Sequence, residues 1–129
     1  MQLEKLDHVN IRTANLKEMV EWYGSVLGME NGERPPFSFP GAWLYAGSHP
    51  AVHLVGVEGK PSSIEPKIEH FAFTASGLKE LTARLDKMGI DYRAVRVPGI
   101  DVLQINVHDC DGNHIHIDFS PQEADEAGL

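Results

Sequence analysis

Seven histidines stand in this chain of 129 residues, and two of them share a setting. His8 follows Asp7, and His70, 62 residues further on, follows Glu69. Imidazole both carries protons near neutral pH and ligates metals such as Zn, Fe, Ni and Cu. One histidine on a strand is ordinarily a hydrogen-bonded polar residue; a matched pair in a repeated setting is a candidate site. His53 (in AVHLV), His108, and His114 and His116 (in HIHIDF) fall in stretches of alternating character, with Asp118 two places after His116. Cys110 is the single cysteine, so no internal disulfide can form, and a reducing cytoplasm is the expected setting. A lone cysteine in a turn is weak evidence of a nucleophile.

The elements that must position these side chains are duplicated. At the same offset Leu16 falls on Leu78, Lys17 on Lys79 and Glu18 on Glu80, while Val9 meets Phe71, Ile11 meets Phe73 and Tyr23 meets Leu85. Such self-similarity marks a repeated supersecondary unit. In the first copy, Leu6 to Thr13 alternates as a strand, with His8, Asn10 and Arg12 on one face. Asn15 is placed to cap a helix, with Glu18 as capping-box partner, and Leu16, Met19, Val20, Tyr23 and Val26 form its apolar stripe up to Gly28. Residues 31–42 hold three prolines and carry Phe37 and Phe39. Trp43 to Ala46 and Ala51 to Val57 read as strands around a turn, Gly47 to Pro50, that leaves His49 solvated.

The second copy starts with a strand from Ile68 to Thr74. Ser76 is expected to cap a helix whose stripe is Leu78, Leu81, Leu85 and Met88, ended by Gly89. Strands follow at Tyr92 to Val97, Val102 to His108 and His114 to Phe119, the last two joined by a turn at Asp109 to Asn113 in which Gly112 and Asn113 suit positive φ. One domain is expected over 1–129: a module at 5–57, a linker at 58–66, a module at 67–120 and a frayed acidic tail at 121–129. The apolar strand faces belong under the helices. The other face carries His8, Asn10, His53, His70, Gln104, His108, His114, His116 and Asp118, either as a solvated surface or as a binding cup.

The formal charge of −8 argues against nucleic acid and anionic membrane as partners. No apolar run is long enough to span a membrane, and the N-terminus lacks the apolar stretch of a secretion signal.

Three stretches, LDHVNIRTANLKEMVEWYGSVLGM, IEHFAFTASGLKELTARLDKMGI and DCDGNHIHIDF, resemble the vicinal oxygen chelate superfamily of glyoxalase I, extradiol dioxygenases and bleomycin-resistance proteins. The resemblance implies an α+β fold of two βαβββ modules forming a concave sheet. It implies metal ligands at His8, His53, His70 and His116, the last standing where most members have glutamate. His53 and His116 are 63 residues apart, so one inserted residue reconciles the two copies. It also implies a homodimer.

Four imidazoles would hold a divalent ion (Zn, Fe, Ni, Mn or Co) and leave its double charge uncompensated, favouring an anionic chelating substrate. The alternative is a metal-free cup. Histidine in the glutamate's place removes the obvious base; Asp118 and His114, flanking His116, are the candidates to orient a ligand or shuttle a proton. The expected function is that of a lyase, isomerase or dioxygenase acting on a small molecule with adjacent oxygens. The alternatives are a binding protein of the bleomycin-resistance type, burying its ligand against Phe37, Phe39, Trp43 and Tyr45, or a structural module with neither metal nor ligand.

Overall fold

The computed structural model describes residues 1–129 and divides into two units, Met1–Ser63 and Ile64–Leu129. The first runs β1 (Val9–Thr13), α1 (Leu16–Leu27), β2 (Glu30–Asn31), β3 (Gly41–Ala46) and β4 (His49–Gly56). Its sheet is ordered β1-β4-β3-β2, with β1 parallel to β4 and the rest antiparallel. The second runs β5 (His70–Thr74), α2 (Leu78–Met88), β6 (Arg93–Val97), β7 (Val102–His108), β8 (His114–Phe119) and α3 (Pro121–Ala127). Its sheet is ordered β5-β8-β7-β6, again with one parallel pair. The fold is therefore α+β, two βαβββ sheets, each mixed and four-stranded. The registers carry the duplication to single residues. Asn10 pairs with His53 as Ala72 pairs with His116, and Trp43 faces His53 as Asn106 faces His116.

Each sheet buries one face against its helix because apolar residues recur at helical spacing. Met19, Tyr23 and Val26 of α1 are buried with Leu44, Val52 and Leu54 of the first sheet; Leu78, Leu81 and Leu85 of α2 are buried with Leu103, Ile105, Ile115 and Ile117 of the second. Met88, expected in that stripe, is exposed. It sits in the last turn of α2, just before Gly89 takes the left-handed conformation that ends the helix.

Several local expectations are corrected. Strand β4 begins at His49, because Gly47 at φ 61° lets the hairpin turn in two residues, Gly47 and Ser48. His49 is thus a strand residue whose Nε2 bonds the Asp7 carbonyl. Asn15 is the N-cap of α1 but makes no side-chain cap bond; its own N–H donates to Thr13 Oγ1 at 2.9 Å. Ser76 does not cap α2. Gly77 is the N-cap, and the N–H groups of Gly77 and Leu78 donate to Glu123 Oε1 at 2.6 and 3.2 Å. That carboxylate comes from the segment expected to fray. Instead Ser120 caps α3, accepting from Glu123 N, Pro121 sits in its first turn, Ala124 is buried, and Arg96 ties the end down through Asp125 and the Leu129 carbonyl. In the turn at 109–113 only Gly112 has positive φ; Asp109, buried, organises it by accepting from the N–H groups of Asp111 and Asn113.

A candidate metal centre built from repeated histidines

In each unit the first strand runs parallel to the last, which sets their side chains side by side on the face away from the helix. His8, just before β1, stacks on His53 of β4 with ring centroids 3.9 Å apart and 15° between planes. His70 of β5 stacks on His116 of β8 at 3.9 Å and 14°. The two copies thus reproduce the same imidazole pair, and the sequence-expected ligands fall into these two pairs, one per unit.

The acid before each first-strand histidine orients it. His8 Nδ1 donates to Asp7 Oδ2 at 2.8 Å, and His70 Nδ1 donates to Glu69 Oε2. A carboxylate on Nδ1 sets the tautomer in which Nε2 holds the free lone pair, the arrangement found behind metal-bound histidines. These bonds hold the Asp7 carboxyl below its usual range and bring that of Glu69 down to about 2.

The second pair has additional partners. His114 Nδ1 bonds the other oxygen of Glu69 at 2.7 Å, and its Nε2 bonds Asn106 Oδ1 at 3.2 Å. His108 stacks on His114 at 4.8 Å. One ring nitrogen each of His70, His114 and His116 lies within 4.8 Å of the others, close enough to hold a metal ion once His114 gives up its bond to Glu69 or Asn106. Asp118 stands two residues beyond His116 on the same strand face.

The donor set suits a divalent ion on two counts. Burial, then the neighbouring histidine charge, pushes the His53 and His116 imidazoles below their ordinary pKa, toward the neutral form that ligates. Moreover, the buried side-chain atoms left without a hydrogen bond are His116 Nδ1 and Asp118 Oδ1. Buried polar atoms of native proteins are nearly always satisfied, so an unpaired nitrogen and oxygen two residues apart mark a place for a ligand.

Sequence reasoning singled out each of these histidines but missed the double grip of Glu69 and the wall beside His53, where the Trp43 indole stacks on the imidazole at 4.1 Å and 8°. The repeated acid before His8 and His70 was the available signal for the first. The second depended on the hairpin register, which the misjudged turn concealed.

Comparison with known proteins agrees with this architecture. The family model of the Glyoxalase/Bleomycin resistance protein/Dioxygenase superfamily matches residues 5–117. Glyoxylase I 4 of Arabidopsis thaliana is 35% identical over 125 residues, covering 91% of this chain and 71% of that protein. Among solved structures, a glyoxalase family protein from Bacillus anthracis superposes with a TM-score of 0.76 at 23% identity, covering 93% of this chain and 98% of its own. A lactoylglutathione lyase from Agrobacterium tumefaciens gives 0.70 at 16% identity, covering 95% and 98%. The duplicated βαβββ units, the histidines at matched strand positions and a family match over most of the length place this chain in the Glyoxalase/Bleomycin resistance protein/Dioxygenase superfamily.

Proposed function

We propose that the chain is a divalent-metal-dependent enzyme, a lyase, isomerase or dioxygenase, acting on a small molecule with adjacent oxygens. In this reading His8, His53, His70 and His116 are the metal ligands, His114 and Asp118 handle protons, and residues 1–129 form one domain that works as a cytoplasmic homodimer. The observation that carries the proposal is the imidazole pair repeated at 3.9 Å in both units. A structural module has no need to preserve that pair twice.

When bound, a divalent ion would supply Lewis acidity toward two neighbouring substrate oxygens. The chain's own residues have separate tasks. Asp7 and Glu69 hold the His8 and His70 rings and fix their tautomers. His114 has its nitrogens on Glu69 Oε1 and Asn106 Oδ1, which fixes its ring beside His70 and His116, where its task is to hold or release a proton on Glu69's side. Asp118 keeps a buried oxygen free of partners beside His116 and is the candidate base.

The test is elemental analysis of purified protein, followed by oxygen uptake and hemithioacetal turnover on the metal-loaded form. Near-stoichiometric metal, lost in His8→Ala and His70→Ala and accompanied by turnover, is expected. Protein that holds no metal and takes none up overturns the reading. In that case the exposed Phe37 and Phe39 beside Trp43 favour a metal-free binder of the bleomycin-resistance type, recognised by micromolar affinity for a dye or drug.

A further inference from the structure

One surface of the first unit is unexplained by the fold. On β3 the Trp43 indole covers His53 on the side opposite His8, so three rings stack from the residue before β1 across β4 to β3. The series continues outward. Phe37 lies 6.5 Å from Trp43 and stacks on Phe39 at 5.1 Å. Both phenylalanines are nearly half in water, 46% and 43% exposed. The Arg34 guanidinium lies 5.0 Å from each phenyl centroid and donates to the Phe39 carbonyl at 2.9 Å. No carboxylate pairs with Arg34, and it is the lone cation of residues 31–45 in a chain of charge −8.

The duplication supplies an internal control. The position of Trp43 in the second unit is held by Asn106, which faces His116 in the same register. An aromatic there is therefore not a requirement of the βαβββ unit. Exposed aromatics that continue a stack from a ligand histidine, ending at an unpaired guanidinium, have the chemistry of a recognition wall.

We propose that Trp43, Phe37, Phe39 and Arg34 select the substrate: a flat aromatic or conjugated body lies along Trp43 and Phe37, and an anionic group at its far end pairs with Arg34. The proposal rests on the reading of His8 and His53 as metal ligands for the direction in which the substrate lies, with its adjacent oxygens toward the histidines. The wall itself does not depend on a metal.

Intrinsic fluorescence tests it. Trp22 and Trp43 are the two tryptophans, so a Trp22→Phe background leaves Trp43 as reporter. The probes are 3,4-dihydroxybenzoate, catechol and dopamine, which share a ring and differ in far-end charge. Saturable quenching is expected, about five- to tenfold tighter for the carboxylate than for catechol and weakest for dopamine. Arg34→Ala should erase that preference, and Phe37→Ala should weaken all three probes. In wild-type background the signal change should vanish in Trp43→Phe, which keeps the test independent of Trp22→Phe folding. Equal binding of the three probes, or a carboxylate preference that survives Arg34→Ala, overturns the wall. The preference is expected with and without added metal. Metal content of the same samples reports separately on the histidines, so failure of the wall and failure of the metal site are told apart.

Discussion

Glu69 does more than any other single residue around the second histidine pair. One carboxylate holds two imidazoles, His70 through Oε2 and His114 through Oε1. Glu69→Gln keeps the shape but gives an amide, whose nitrogen cannot accept from a ring N–H. One of the two rings then loses its orientation. The expected outcome is a 10- to 100-fold drop in metal affinity, read by competition with a chelator, with circular dichroism unchanged. A drop of less than threefold would count against a ligand-orienting role for this carboxylate. Legibility at this scale was uneven. The candidate histidines were visible because a strand's period of two and offsets of 62 (His8 to His70) and 63 (His53 to His116) put them on one face in matched places. The partners of those rings were not visible, since Glu69 reaches His114 across 45 residues through the parallel β5–β8 register.

At the scale of elements, the two modules differ most at the start of their helices. Helix α1 opens with local means, the Asn15 N–H on Thr13 Oγ1. Helix α2 opens on glycine, and its first N–H groups are satisfied by Glu123 of α3. A carboxylate there also meets the positive end of the helix dipole. Glu123→Ala is expected to lower stability by about 1–2 kcal/mol, seen as a lower urea midpoint with an unchanged m-value. A change within about 0.3 kcal/mol would mean that water replaces the cap at no cost. The helix stripes and most strands were legible, because 3.6- and 2-residue periods survive in the apolar pattern. The tail was misread from its acidity, although Ser120-Pro121-Gln122-Glu123 has the Ser-x-x-Glu spacing of a helix start, with proline in the first turn. Two-residue β2 was also missed, being too short to show a period.

For the molecule as a whole, the feature that separates the two units is the stretch between β4 and β5. Residues 58–70 are exposed, and 57–69 form no strand or helix. A protease needs an extended, unpaired backbone, and this stretch offers one with Lys67 in it, while Pro61 protects the bond after Lys60 from trypsin. Brief trypsin digestion is expected to cut there before it cuts within α1 or α2, giving two large fragments by mass spectrometry. First cuts at Lys17 or Lys79 instead would mean that the helices open more readily than the connection.

The cap that Glu123 places on α2 also bears on the order in which the protein is made. A ribosome releases the first unit with all of its strands and its helix start already present by Gly56, so that half can mature while translation continues. The second helix emerges early but waits for a side chain encoded 46 residues after Gly77. Its half therefore finishes only after α3 has been made, and a stop codon before position 123 would leave a chain with one completed module and one whose helix begins uncapped.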